Sequence, residues 1–392
     1  MIKKIGILTH YYGNQNLGAL LQAYALVTFL LKKNFIVKQI PFNFRIFDAK
    51  AKRLRSLFQK ETHQGILYLG WGFFRLIAHI FTKCQKQYLL KELTLQRSLI
   101  KKFANDVEHQ HFSYSDFNIQ QANNHFDTFI IGSDQVWASY LLPHQAFWGE
   151  FTTPNKKVIS YAASSNRKQF TPQAEKLFVT KLARLNAISV REKTLKDYIE
   201  HITDKKATVV LDPTFLLSAQ EWLTISNPAP VPQKPYIFCY FLGGKSAWQR
   251  QMAQSYADKY GYEVVHLPYI RGTVRSADRF LKGQGRYDVG PREFIALING
   301  AQCVFTDSFH GLAFSINLGK NFYVFNRDDQ SGPQSMNARI TDTLATFGLT
   351  SRHITDKNAA LDNKQLDFTK THEVLACEKE FSSNWLLNAL KD

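Results

Sequence analysis

The 392-residue sequence is short of cysteine and of negative charge. Its four cysteines form no Cys-x-x-Cys pair, so they supply neither a disulfide framework nor a zinc site. Cys239 and Cys303 lie inside apolar runs and read as core fillers, which fits a reducing compartment. Aspartate and glutamate number 32 against 49 lysines and arginines, a formal net charge of +17. Such an excess points to an anionic partner: nucleic acid, an anionic membrane surface or a phosphorylated substrate. Its basic residues are spread along the chain with no zinc-finger or RNP signature, so no nucleic-acid partner is expected. No apolar run reaches the roughly 18 residues of a membrane span. The most apolar stretch, 65–83, is interrupted by Arg75 and His79 and reads as an amphipathic core helix. A membrane-surface helix is the other reading, because Lys83, Lys86 and Lys91 follow it. The N-terminal apolar run is too short for a signal peptide. These features predict a cytoplasmic protein, with peripheral association at the inner face of the membrane as the furthest departure from that. Metal-binding spacings, a Walker A loop, a Gly-x-Gly-x-x-Gly loop and a Gly-x-Ser-x-Gly elbow are all missing, so neither metal nor cofactor is expected.

What is present is an ordinary globular composition, 45% hydrophobic, with 31 phenylalanines for aromatic-rich cores. A strand at 5–8, a polar turn at 9–16, a buried helix at 18–33 and a strand at 36–40 make a βαβ unit and imply a parallel sheet. Residues 45–125 read as a basic, helical insertion. Strands resume near 128–132, 158–161, 187–190 and 208–211. Four prolines within 227–235 form a stiff connector, and a second α/β series follows. The expected fold is α/β: two Rossmann-like domains, 1–228 and 229–392, facing a cleft, with a last helix at about 373–390 packing back on the first.

Ligands in such folds bind just beyond the carboxyl ends of strands, and five candidate segments fall there. Asp307-Ser308-Phe309-His310-Gly311 follows a strand and opens a helix, where backbone N–H groups bind anions and an imidazole can move protons. Simple helix capping accounts for Asp307 and Ser308 equally well. Arg191, in Ser189-Val190-Arg191-Glu192, is suited to a bidentate contact with phosphate or carboxylate, or to a plain ion pair with Glu192. Gly132-Ser133-Asp134 offers close backbone approach and two polar side chains, or a capped turn. The first βα loop supplies Asn14 and Asn16 for a substrate hydroxyl or phosphate. The segment 271–286, with Arg271 at its head, is a cationic loop or a solvated surface.

Taken in order, these segments resemble the polysaccharide pyruvyl transferase family. The resemblance rests on Asn16, Gly18, Ala19 and 21–26, on 126–137, on 189–193, on 211–217, on 291–298, on 307–315 and on 337–349. It implies a GT-B-like fold, phosphoenolpyruvate as donor, and as acceptor a sugar of a surface polysaccharide or its lipid-linked precursor. The product implied is a pyruvate ketal, with phosphate released. His310 would be the acid/base residue, and Arg191 would hold the donor's phosphate or carboxylate. Ser308, Phe309 and Gly311 would border the donor. Relatives carry Arg-x-His where this chain has Ser308-Phe309-His310. Ser308, the helix N-terminus, or a basic residue such as Arg271 or Arg339 then has to replace that arginine, or the donor differs. A GT-B glycosyltransferase using a nucleotide sugar is the main alternative, and a non-catalytic anion- or membrane-binding protein is another.

Overall fold

The computed structural model describes residues 3–43, 90–165, 167, 169–243, 246–268, 276–327 and 337–391. The apolar stretch 65–83, most of the expected insertion, Cys84 and Arg271 lie outside these residues. Two six-stranded parallel sheets organise the chain. The first holds β1 (Lys4–Leu8), β2 (Ile36–Gln39), β3 (Thr128–Ile131), β4 (Lys157–Ala163), β5 (Ala187–Val190) and β6 (Ala207–Val209), in the order β2-β1-β3-β4-β5-β6. The second holds β7 (Tyr236–Tyr240), β8 (Glu263–His266), β9 (Gln284–Gly285), β10 (Cys303–Thr306), β11 (Phe322–Phe325) and β12 (His353–Ile354), in the order β12-β11-β10-β7-β8-β9. Every pairing is parallel. Strands covered on both faces must be apolar throughout, and β3, β10 and β11 are buried along their full length. Two parallel, Rossmann-like sheets with helices make the α/β fold that the sequence predicts.

Strand order reverses where β1 meets β3 in one sheet and where β7 meets β10 in the other. Open α/β sheets bind ligands at such switch points. The loops that follow β1, β3, β7 and β10 are therefore the ones to inspect.

Helix α1 (Leu17–Lys32) starts one residue before the expected position, because Asn16 caps it by accepting the Gly18 N–H at 3.0 Å. The described part of the insertion contains α2 (Leu90–Asn105) and a 3-10 turn at Ile119–Asn124. It is not purely helical as expected: His109 and Tyr114 make isolated parallel bridges to Gln39 and Phe42. Burial of Tyr114 and Phe42 draws this segment into an extended path. Next come α3 (Pro172–Leu182), α4 (Lys193–Ile202), α5 (Ala219–Ile225), α6 (Ala247–Tyr260), α7 (Pro291–Gly300), α8 (Phe309–Asn317), α9 (Ala338–Thr346) and α10 (Thr369–Leu390).

The domains share one apolar core. Leu20 and Leu21 of α1, Trp222 of α5, Phe294 of α7 and Phe314 of α8 pack into a single cluster. Asn317, at the end of α8, donates to the carbonyls of Thr214 and Leu217 at 3.0 Å each. Helix α10 spans both domains. Thr371 near its start bonds the Phe347 carbonyl, while Ser382 accepts the Leu211 N–H at 2.9 Å. Leu386 and Leu390 then enter the core under the first sheet.

Candidate active site at the domain junction

The β10–α8 turn is held rigid from three sides. The Asp307 carboxylate accepts the N–H groups of Leu242 and Gly243, just after β7, at 2.6 and 2.7 Å. Thr306 Oγ1 donates to the Tyr240 carbonyl at 2.6 Å and accepts the Ser308 N–H at 3.0 Å. Ser308 caps α8 through a long 3.5 Å contact from the Gly311 N–H. A Cβ on Gly311 would sit 2.5 Å from Thr306 Oγ1, so glycine lets the helix lie directly on the strand. Asp307 is thus a clamp, and Ser308 is a cap.

His310 projects from this turn across the junction. A Cβ on Gly18 would lie 2.1 Å from His310 Nδ1, so the imidazole is pressed against the first turn of α1. The ring is buried, and its Nε2 has no hydrogen-bond partner. A buried imidazole nitrogen left unsatisfied is costly, and a catalytic role is one of the few physical reasons to keep one. Burial pushes the His310 pKa down; Asp212 and Asp134 pull it up, and Arg191 and Arg339 push it further down. The net shift is downward, so His310 is neutral at pH 7.

The facing wall comes from the first domain. Arg191, one residue beyond β5, is buried with every nitrogen engaged. Nε donates to Glu192 at 2.9 Å, Nη1 to Asp212 at 2.9 Å and Nη2 to Ser164 at 3.0 Å. Burial works against its charge, but Glu192, Asp212 and Asp134 outweigh burial and hold it above the ordinary guanidinium value. Its flat face stacks on Phe309, 4.0 Å from the ring centroid, which ties the two domains together beside His310. Phe309 in turn meets the His310 ring edge-on at 5.1 Å.

Asp134, after β3, has φ +65°, a left-handed conformation that is uncommon for a non-glycine residue and concentrates at functional sites. Its carbonyl accepts the N–H groups of Val136 and Ser164 at 2.8 and 2.9 Å, which fixes the turn. Burial raises the carboxyl pKa, and His310, Arg191, His10 and Arg339 together bring it below the usual value, so it is ionised. Ser133 lies beneath the site, not in it: its hydroxyl is fully buried and its single proton is shared between the Asp212 carboxylate at 2.9 Å and the Ala162 carbonyl at 3.1 Å. His10 Nε2 pairs with the Gln135 carbonyl at 3.1 Å. Asn14 and Asn16 shape the first loop, the Asn14 side chain accepting the Asn16 N–H at 3.0 Å. Asn14 also lines a cavity of about 390 Å³ with Tyr11, Tyr12, Arg97, Lys101 and His109.

Arg339, in the first turn of α9, is buried beside Arg327, which follows β11. Sequence reasoning named Arg339 and passed over Arg327, although residues just after strands were the ones to examine. It also gave no role to Asp212, the carboxylate that joins Arg191 to Ser133. Among the described residues no group of three His, Cys, Asp or Glu side chains is arranged to hold a metal ion, and no helix is long and apolar enough to cross a membrane.

The site therefore combines an unsatisfied imidazole after β10, an ionised carboxylate after β3 and three guanidinium groups from neighbouring elements. Similar solved structures include the UDP-GlcNAc 2-epimerase of Neisseria meningitidis, at 12% identity over 99% of both chains with a TM-score of 0.48. The UDP-GlcNAc 2-epimerase of Methanocaldococcus jannaschii is similar at 10% identity, over 95% of this chain and 98% of that one, with a TM-score of 0.49. A calicheamicin glycosyltransferase is similar at 10% identity over 99% and 98%, with a TM-score of 0.42. No curated protein matches the sequence. The family model for polysaccharide pyruvyl transferase matches residues 16–329, which include Asp134, Arg191 and His310. The chain belongs to the polysaccharide pyruvyl transferase family.

Proposed function

We propose that this protein transfers the pyruvyl group of phosphoenolpyruvate to two hydroxyls of one sugar in a surface polysaccharide or its lipid-linked precursor, forming a cyclic ketal. The observation that carries this reading is His310, whose unpartnered Nε2 sits at the domain junction among charged groups of both domains.

The chemistry needs a proton donor beside the donor's methylene carbon. In the empty site His310 is neutral, so it acquires its proton with the substrate. A phosphorylated, carboxylated donor brings negative charge next to the ring and raises its proton affinity. The protonated imidazole delivers its proton to the methylene carbon, using the electrons of the C=C bond. Positive charge develops on the neighbouring carbon, and one sugar hydroxyl adds there. Phosphate departs with the electrons of its C–O bond, and the second hydroxyl closes the ketal. One hydroxyl proton returns to His310 and the other leaves with phosphate, so atoms and charge balance. Asp134 and Asp212 support the protonated imidazole, and guanidinium groups stabilise the departing phosphate. The large positive charge of the chain suits an anionic donor and an acceptor presented at an anionic membrane surface.

The direct test incubates purified protein with phosphoenolpyruvate and candidate acceptor saccharides, and follows phosphate release together with the mass of the saccharide. Paired analysis of the polysaccharide from cells with and without the gene should show loss of its pyruvate. Thermal stabilisation by a nucleotide and not by phosphoenolpyruvate would overturn the reading in favour of a nucleotide-sugar glycosyltransferase.

A further inference from the structure

We infer that Arg327 and Arg339 form the anion seat of this protein and receive the donor's phosphate dianion. The inference rests on the phosphoenolpyruvate reading above and says where that donor is held.

Arg191 is already engaged. All three of its side-chain nitrogens are already bonded, to Glu192, Asp212 and Ser164, and its flat face lies on Phe309. A cation neutralised in this way offers an arriving phosphate little. Arg339 is the opposite case. Its side chain is more than nine-tenths buried, yet Nε and Nη2 meet no hydrogen-bond partner. Nε of Arg327 is also buried and unpartnered, and its Nη2 makes only a 3.4 Å contact to the Asp307 carbonyl. These are the only buried guanidinium nitrogens among the described residues left without a partner.

Two adjacent arginines repel each other, and burial strengthens the repulsion. Burial, Arg327 and Arg191 all disfavour the charge on Arg339. Arginine nonetheless keeps its proton in proteins, so the strain is relieved by an anion, not by deprotonation. An arrangement that is unfavourable when empty is what a preorganised dianion seat looks like. The placement fits the chemistry too. Arg339 lies within electrostatic reach of His310 and Asp134 and occupies the first turn of α9, where free N–H groups favour an anion. Arg327 is anchored through its own backbone, whose N–H bonds Asn337 Oδ1 at 3.0 Å beside the start of that helix. A phosphate held there brings the rest of the donor towards His310 Nε2.

The experiment uses the full-length protein in phosphate-free buffer, with inorganic phosphate and phosphoenolpyruvate as probes, read by thermal shift and titration calorimetry. Arg339→Met and Arg327→Met are each expected to weaken phosphate binding about tenfold or more, as charge-assisted hydrogen bonds are lost. In the absence of anion Arg339→Met should melt no lower than the parent and should lose most of the phosphate-induced rise in Tm. A merely structural arginine would do the reverse and lower the Tm of the empty protein. Arg339→Lys should recover part of the binding, because charge returns without the forked geometry. If the parent binds phosphoenolpyruvate and both Met variants bind it equally well, the seat is elsewhere and only this inference falls. If the parent binds nucleotides and neither probe, the proposed function falls with it.

Discussion

Arg191 in the first domain and Arg339 in the second are treated in opposite ways. One is enclosed by carboxylates and a hydroxyl and stacked on an aromatic ring. The other is equally buried and has nitrogens with nothing to bind. The first arrangement builds a wall, and the second keeps donors unpaired. Burial and charge alone, which the two share, do not separate a structural cation from a binding cation. Hydrogen-bond satisfaction does.

The experiments that follow would break or sharpen that contrast. Replacement of His310 by Gln is expected to have the largest effect, lowering transfer about 10²–10⁴-fold with little change in fold, as measured by phosphate release. Next is Arg191→Met, which strands Glu192 and Asp212 in the interior and should cost about 3–5 kcal/mol in urea denaturation. Equal stability of the 191 and 339 variants would erase the contrast. Gly18→Ala places a methyl group against the His310 ring and should cost about 1–3 kcal/mol by overpacking, together with activity. Acidity gives a smaller, graded effect. Because the empty site holds His310 neutral, donor binding must take up a proton and should weaken as pH rises from about 6 to 8, with the His310→Gln variant flat over that range. The same shift stabilises the fold above the ordinary histidine pKa, and that contribution is lost as pH falls below it. Smallest of all is Ser308→Ala, expected to cost under about 1 kcal/mol because the cap contact is long.

The sheets were legible because parallel strands buried on both faces leave continuous apolar runs such as those at β3, β10 and β11. Turn residues after those strands could be picked out by position alone. What the sequence does not display is pairing across distance. Gly18 and His310 are far apart in the chain, and nothing local to either announces that one must be small for the other to fit. Ser133 looked polar and available, whereas its hydroxyl is spent on Asp212, a residue equally remote in sequence. Arg327 lacked any motif of its own, since its role arises from the proximity of Arg339 and from partners it does not have.

Helix α10 carries a consequence for how the two halves are held. It leaves the second domain near Thr371 and ends in the core of the first, beside β1. The polypeptide therefore crosses the junction twice, once through the proline-rich connector and once through a helix. Two separate ties restrain twist as well as separation, and they hold His310 in its place against Gly18.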